Sequence, residues 1–503
     1  MVEKSKPTLT VRKAGLLEDM NERPVTLAIY DVLLPCRQFR VEHKVAEVGK
    51  VSITAEFLLR LLKTVGTMSE TDVAAFFGYD PREMSFVLRE VEEADFVRRA
   101  DGQLSLTTTG QGLFLPGSDE PAIFEVEHRS GTYGFDLIAL APEIRRHLTD
   151  FEIKLPELSV VDPERVSNAT SGVRESFRRF FGELSPSRTA NGGPRRNLYS
   201  IDSVEAGRRF PSAVRISLTA QGSKPWAGEA DLSEWRPDFE VADREAIAIA
   251  AARYCERLKV HRRAEDDQAY QFLFDIAPAF LKDFKRKDGL AVERYYREAY
   301  GRAGDVRSDR PTVPILGSLF TPENFRRLSD VVGYGLRGLK RTPETIYWLA
   351  PQVPHWGSVG TLPEVVEYLR SALKKRNNEN GLNTSDPLAM VLTTGQPPRW
   401  IEAAFNRFSA ASGLVVPGAT EILLVPGVAT CVLVHAPIGA ISGHPVPLGI
   451  ASFDERVVNR VASALLEVGP AFGMSERHLC DLSPHETELP SGSPYGGDAE
   501  PVA

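Results

Sequence analysis

Cysteine is scarce in this chain and is never clustered. Its 503 residues include four cysteines, which stand far apart and form no C-x-x-C pair: Cys36, Cys255, Cys431 and Cys480. This spacing argues against a disulfide framework and against a zinc site. His478 and His485 lie near Cys480, but three potential ligands at such spacing do not make a metal site. We therefore predict reduced thiols and no metal.

Long hydrophobic runs and an excess of basic residues are also missing. The most apolar stretch, 421–451, is interrupted by glutamate, histidine and several prolines, which indicates buried strands and turns and not a membrane span. The first 15 residues contain no apolar core typical of a signal peptide. A net charge of -8 excludes attraction of the whole chain to nucleic acid or anionic lipid. We expect a cytoplasmic protein with no membrane partner.

Two common enzyme signatures are absent as well. The sequence contains neither G-x-x-x-x-G-K-[ST] nor G-x-S-x-G. One G-x-G-x-x-G occurs at Gly333, Gly335 and Gly338. It follows a segment with helical patterning, whereas a dinucleotide fingerprint needs a preceding strand and a βαβ frame. We interpret it as a glycine-rich turn and predict no cofactor.

Residue patterning nevertheless indicates a globular protein with several domains. Hydrophobic residues make up 42% and charged residues 25% of the chain, as in ordinary globular proteins. The predicted regions are strands or short elements over 1–52, a helical module over 53–114, a β-hairpin and connector over 115–160, a loop-rich basic region over 161–239, a helical region over 240–302, an α/β domain over 315–480 and a disordered tail over 481–503.

Residues 53–114 carry the most consistent local signals. Apolar residues recur at helical spacing, which predicts an inward face for each helix. The first stripe is Leu58, Leu61, Leu62 and Val65, and the third is Met84, Val87, Leu88 and Val91. Ser69 is placed to cap a second helix, and Asp80 followed by Pro81 is a typical start for the third. Asp101-Gly102 predicts a tight turn between two short strands.

Three short helices followed by a hairpin resemble the winged helix-turn-helix family. The resemblance covers about an eighth of the chain and implies a docking module for DNA or protein. The third helix has two basic and five acidic residues, which weakens the expectation of phosphate contact along its length. Arg82 and Arg89 on that helix, with Arg98 and Arg99 beside the wing, are the predicted nucleic-acid contacts. A protein partner stays an equal alternative.

The C-terminal region alternates strands and helices and contains one weak motif. His435 follows the strand TCVLV. Gly449 lies downstream of it, at the distance that separates the histidine from the glycine in a known motif. This arrangement resembles one half of the phospholipase D-like fold, whose motif is His-x-Lys, then Asp, then Gly-Ser-x-Asn. The resemblance implies that His435 is a nucleophile towards phosphorus. An unrelated α/β domain with one buried histidine is the alternative.

The remaining motif positions depart from the phospholipase D pattern. They are occupied by Pro437, Ser442, Ile450 and Ser452. With Pro437 in place of lysine, no cation neutralises developing phosphate charge from that position. The family also pairs two motif copies, within one chain or across a homodimer, and only one is visible here. We therefore expect a degenerate, catalytically inert domain.

A second candidate nucleic-acid segment lies between residues 281 and 302. Basic residues alternate there with Phe284, Tyr295, Tyr296 and Tyr300, a mixture that can follow a strand backbone and stack bases. An amphipathic helix that buries its tyrosines explains the same pattern. The basic residues predicted as contacts are Lys285, Arg286, Lys287 and Arg297.

The overall prediction is an α+β multidomain fold with an N-terminal winged helix-turn-helix, a helical middle region and a C-terminal α/β domain. Its resemblances suggest a non-catalytic nucleic-acid accessory protein, of the kind found in bacterial anti-phage defence or DNA processing. DNA is then the expected partner, together with a separate helicase, ATPase or nuclease. Two alternatives remain: a phosphodiesterase or nuclease that uses His435, and a scaffold whose winged helix binds protein.

Overall fold

A computed structural model describes most of the chain. The described residues are 9–10, 24–48, 52–116, 119, 121, 124–160, 162–184, 196–221, 224–235, 239, 245–286, 289–300, 305–439 and 441–482. They form mixed α/β structure with several sheets. The predicted tail lies outside this range except for residues 481–482, which end a helix.

The helices are α1 (Ile53–Val65), α2 (Glu70–Phe77), α3 (Pro81–Glu93), α4 (Thr108–Gly112), α5 (Pro163–Ser167), α6 (Ala169–Leu184), α7 (Glu245–Glu256), α8 (Asp266–Ile276), α9 (Pro278–Leu281), α10 (Val292–Tyr300), α11 (Pro322–Gly335), α12 (Thr361–Glu379), α13 (Arg399–Ala404), α14 (Glu455–Val468) and α15 (Glu476–Leu482).

The strands are β1 (Leu9–Thr10), β2 (Pro24–Val48), β3 (Thr67–Ser69), β4 (Val97–Ala100), β5 (Gln103–Leu106), β6 (Phe124–Asp136), β7 (Arg196–Gln221), β8 (Glu229–Asp231), β9 (Val260–His261), β10 (Lys285–Arg286), β11 (Gly289–Ala291), β12 (Thr312–Leu316), β13 (Thr345–Leu349), β14 (Leu388–Thr394), β15 (Arg407–Ala411), β16 (Thr420–Val425), β17 (Ala429–Ala436), β18 (Ser442–Gly443) and β19 (Val446–Ser452).

A long antiparallel ribbon replaces the short elements predicted for the N-terminal region. Strand β2 has 25 residues and pairs with β7 on one side and β6 on the other. At about 3.3 Å per residue it spans roughly 80 Å. The β-hairpin predicted within 115–160 is wrong, because β6 runs straight through Ser130-Gly131. Those two residues pair with Glu42 and Val41 of β2, so a distant strand overrides the local turn signal.

The region 161–239 is also more regular than predicted. It contains α5, α6 and the 26-residue β7, so a loop-rich region is the wrong description for most of it. Val173 and Phe177 of α6 pack on Phe39 and Phe135 of the ribbon in one buried cluster. The Pro/Gly-rich stretch over 185–195 lies outside the described residues.

The local signals in 53–114 are confirmed at the level of elements. The Ser69 hydroxyl accepts from the Asp72 N–H at the start of α2. Asp80 and Glu83 form a reciprocal capping box at the start of α3. Asp101 and Gly102 both have positive φ, 52° and 75°, as a two-residue hairpin turn requires. The three helices and the sheet β3-β5-β4 enclose a core of their own.

The C-terminal region forms a seven-stranded mixed sheet in the order β12-β19-β17-β16-β13-β14-β15. Strands β13, β14 and β15 are parallel, and the other neighbours are antiparallel. This confirms α/β character for the region. The middle helices share one apolar cluster with the sheet and with the first half of β2, as Tyr254, Val432 and Val32 show. The helical region is therefore part of the same core as the sheet.

Asp31 of β2 joins the ribbon to the seven-stranded sheet. It accepts two hydrogen bonds from the Arg215 guanidinium of β7, at 2.8 and 2.9 Å, and one from the Gly360 N–H, at 2.7 Å. Gly360 directly precedes α12. Asp31 is 8% exposed, and the hydrogen bonds to its carboxylate raise the pKa of Arg215. The Asp31–Arg215 pair has favourable geometry because directional donors meet the lone pairs of the Asp31 carboxylate.

We predict that Asp31→Ala lowers the free energy of unfolding by about 2 kcal/mol, because it leaves a half-buried guanidinium and a backbone N–H without their acceptor. Urea denaturation followed by circular dichroism measures this. The control is Glu256→Ala, which breaks an exposed pair with Lys259 and should change stability by less than about 1 kcal/mol. Equal losses in the two variants would contradict the assigned role of Asp31.

Candidate nucleic-acid interface

The predicted nucleophile His435 lies in the core of the seven-stranded sheet. Strand alternation places it with Cys431 and Leu433 on the face that packs against α11 and α12. Its side chain is 4% exposed, and Nε2 lies 2.5 Å from Oε2 of Glu421. The other carboxyl oxygen of Glu421 accepts from the Trp348 indole N–H at 2.9 Å. A buried, partnered histidine has no open path to a phosphodiester, although its catalytic role remains an untested prediction.

The outward face of α3 is less acidic than its composition suggests. Glu83 is engaged in the capping box, and both carboxyl oxygens of Glu90 accept from Ser52, at 2.5 and 2.7 Å. Arg82, Phe86 and Arg89 follow one another at helical spacing on the exposed side. The Arg89 guanidinium lies over the Phe86 ring, 5.8 Å from its centroid.

The wing arginines differ from one another. Arg98 is exposed on β4, whereas Arg99 forms an ion pair with Glu70 of α2. The whole segment 53–114 has six basic against ten acidic side chains, a net charge of -4. Such a surface repels phosphates at long range, and local contact through exposed arginines such as Arg82, Arg89 or Arg98 would have to offset this.

A concave basic site lies instead between the helical region and the sheet. Its cavity of about 470 Å³ is bounded by the α9 segment, α10, the start of β12 and the start of α14. We call it the arginine cavity after its four guanidinium-bearing residues: Arg294, Arg310, Arg456 and Arg460. Three aspartates also line it, so its net charge is one positive unit: Asp283, Asp309 and Asp454. One of these, Asp454, caps α14 through the Arg456 N–H.

Two of the four arginines are held in place by the backbone. Arg294 donates to the Asp283 carbonyl at 2.8 Å and lies over the Phe284 ring. Arg460 donates to the Ile276 carbonyl at 3.1 Å. Arg456 is exposed one turn before Arg460 on the same side of α14. Guanidinium groups that are already oriented lose less entropy when they bind an anion.

The predicted segment 281–302 contributes one basic residue, Arg294, to this site but not the predicted stacking surface. Phe284 and Tyr295 are 4% and 0% exposed and belong to the main apolar cluster. The Tyr295 hydroxyl donates to the Gly449 carbonyl. Stacking on these two rings is therefore excluded, and the alternative of inward-packed aromatics is correct for them. Lys285 and Arg286 are exposed on β10, whereas Lys287 and the side chain of Arg297 lie outside the described residues.

Sequence reasoning missed Arg310, Arg456 and Arg460. The pair on α14 has a readable signal, since two arginines four residues apart follow a helix N-cap at Asp454. Their approach to Arg294 depends on the pairing of β12 with β19, which brings the start of β12 beside the start of α14. No short sequence motif predicts the pairing of these two strands.

Within the described residues, no cluster of three or more histidine, cysteine or acidic side chains is suited to a metal ion. No helix in that part of the chain combines the length and the hydrophobicity needed to cross a bilayer. No protein-family model matches this sequence, and a comparison with curated proteins found no match either.

We predict that His435→Ala lowers the free energy of unfolding by about 3 kcal/mol, because it leaves a cavity and removes a partner of the buried Glu421. Chemical denaturation measures this. The matched control is His128→Ala, whose side chain is 72% exposed, and its stability should stay within about 0.5 kcal/mol of the unchanged protein. A His435→Ala variant as stable as this control would contradict a structural role.

Proposed function

We propose that this chain is a non-catalytic nucleic-acid-binding protein and that the arginine cavity contacts the phosphate backbone of a single strand. The observation that carries the proposal is the convergence of four arginines from three distant parts of the chain on one cavity. Arginine matches phosphate geometry with two parallel N–H donors, and two of these side chains are already oriented.

A single strand suits this site better than a duplex. The cavity is concave and has room for about one nucleotide, whereas the backbone of a duplex presents a convex surface. A flexible strand can place one phosphate in the cavity while a neighbouring phosphate meets Arg456, which is exposed at the start of α14. The three aspartates reduce the net charge, so we expect moderate affinity that falls steeply with salt.

Protein docking through the 53–114 segment is a second candidate function. Three phenylalanines there are more than half exposed: Phe57, Phe76 and Phe86. Exposed aromatics within a surface of net charge -4 favour a partner with an apolar contact and a basic rim. In this proposal the segment keeps its resemblance to a winged helix-turn-helix but binds protein. An accessory role beside a helicase, ATPase or nuclease in anti-phage defence stays a prediction from the resemblance.

We predict that the double substitution Arg456→Ala and Arg460→Ala weakens binding of a 20-nucleotide single strand. Because each lost phosphate contact removes about 0.7 from the slope of log K against log salt, the slope should become shallower by about 1.4. Fluorescence anisotropy at several salt concentrations measures this, with a duplex of the same sequence as comparison.

The matched control is Arg98→Ala, an exposed arginine of the β4–β5 hairpin. We expect it to leave affinity and slope unchanged. A loss confined to Arg98→Ala would assign binding to the winged-helix-like segment, and binding without salt dependence would overturn the proposal.

A further inference from the structure

A second cleft lies at the opposite edge of the seven-stranded sheet from the arginine cavity. Four antiparallel pairings separate β12 from β13, so these two strands run in the same direction. The arginine cavity lies at the start of β12, and the cleft lies beyond the ends of β13 and β14. The crevice outside the carboxyl ends of parallel strands is where open α/β sheets bind ligands.

This cleft, which we call the His355 cleft, has a volume of about 290 Å³. The turn after β13, the end of β14 and the turn before α13 supply its walls. Its lining residues are Ala350, Pro351, Gln352, Val353, His355, Trp356, Thr393, Thr394, Gln396, Pro397, Pro398 and Ile401. None of them is an acidic residue, a lysine or an arginine. A charged ligand would therefore find no counter-ion there, whereas a neutral ligand would find amides, hydroxyls and rings.

His355 is held in a conformation that is costly for its backbone. Its φ of 55° lies in the left-handed region, which residues other than glycine rarely adopt. The ring is fixed by the Tyr254 hydroxyl, 2.6 Å from Nδ1, and by a tilted contact with Trp400 at 5.8 Å between centroids. Backbone strain of this kind persists only where surrounding contacts hold the residue in its conformation, and it is found most often at binding sites.

The contact with Tyr254 also determines which nitrogen of the His355 ring carries the proton. Burial raises the pKa of Tyr254, so the phenol keeps its proton and donates to Nδ1. Burial, together with the nearby Arg257, lowers the pKa of His355, which favours the neutral ring. The remaining proton is then on Nε2, which can donate to a ligand acceptor.

Trp356 forms part of the wall of the cleft. Trp356 is 7% exposed, and its indole N–H has no hydrogen-bond acceptor within the described part of the chain. Thr394 and Gln396 stand at the mouth with further donor and acceptor groups. A flat, neutral heterocycle with hydrogen-bonding groups on its edge meets all of these features.

We propose that the His355 cleft binds one nucleobase, carried either by a free nucleoside or by a single strand. Flat rings pack on aromatic side chains, and base edges are read by amide, hydroxyl and imidazole groups. The site takes the base and not the phosphate, because its lining carries no cation. The proposal goes beyond phosphate binding at the arginine cavity, since a free nucleoside needs no phosphate contact.

Isothermal titration calorimetry of the full chain tests this proposal. The probes are adenosine, guanosine, cytidine and uridine, with ribose 5-phosphate as the ligand that lacks a base. We expect at least one nucleoside to bind and ribose 5-phosphate not to bind. The variant is His355→Gly, because glycine tolerates the positive φ while the imidazole is lost. It should weaken nucleoside binding at least about tenfold. Tyr254→Phe keeps the ring but frees His355, and it should weaken binding by a smaller factor.

The control is the Arg456→Ala and Arg460→Ala double variant, which should keep nucleoside binding unchanged. This separates the His355 cleft from the arginine cavity, because either site can fail alone. A strand containing the preferred base that competes with the nucleoside supports a base carried by nucleic acid, and lack of competition supports a free nucleoside as the ligand. Absence of binding by all four nucleosides, equal binding of ribose 5-phosphate, or unchanged affinity in a folded His355→Gly variant would overturn the proposal.

Discussion

The pairing of β2 with β6 and β7 is the constraint on which the rest of the structure depends. The first half of β2 packs into the core shared by the middle helices and the seven-stranded sheet, and its second half packs against α6. At its end the chain enters the 53–114 segment, which has a separate core. One strand therefore contributes residues to three apolar clusters, with Ile29 and Leu33 in the third, and Asp31 fastens it to the turn before α12 through directional hydrogen bonds.

Elements whose signals lie within a few residues could be predicted from the sequence. The cap at Ser69, the capping box at Asp80 and the turn at Asp101-Gly102 depend on neighbours at most three positions away. The ribbon could not be predicted, because Ser130-Gly131 reads locally as a turn and becomes extended only through pairing with β2. The same limit applies to α6, because its apolar residues are buried only by packing on Phe39 and Phe135, which are distant in sequence.

The residues of the candidate sites could likewise be predicted only where their signal lies within a short stretch of sequence. Lys285 and Arg286 were predicted because basic residues cluster along the chain there, whereas Arg310 lines the arginine cavity only through the register of the sheet. The neighbouring aromatics were ambiguous, since burial and base stacking produce the same sequence pattern. His355 gave no signal, because neither its positive φ nor its contact with Tyr254 is encoded by adjacent residues. The structure places two chemically different sites, one basic and one neutral, at opposite edges of one sheet.

We propose that a single strand binds at the arginine cavity and not on the 53–114 segment. Hydrogen–deuterium exchange of the full chain, with and without a 20-nucleotide single strand, tests it most directly, because it reports both surfaces in one experiment. We predict slower exchange in residues 277–294 and 454–460 and unchanged exchange in residues 81–106. Protection of 81–106 without protection around the arginine cavity would contradict it.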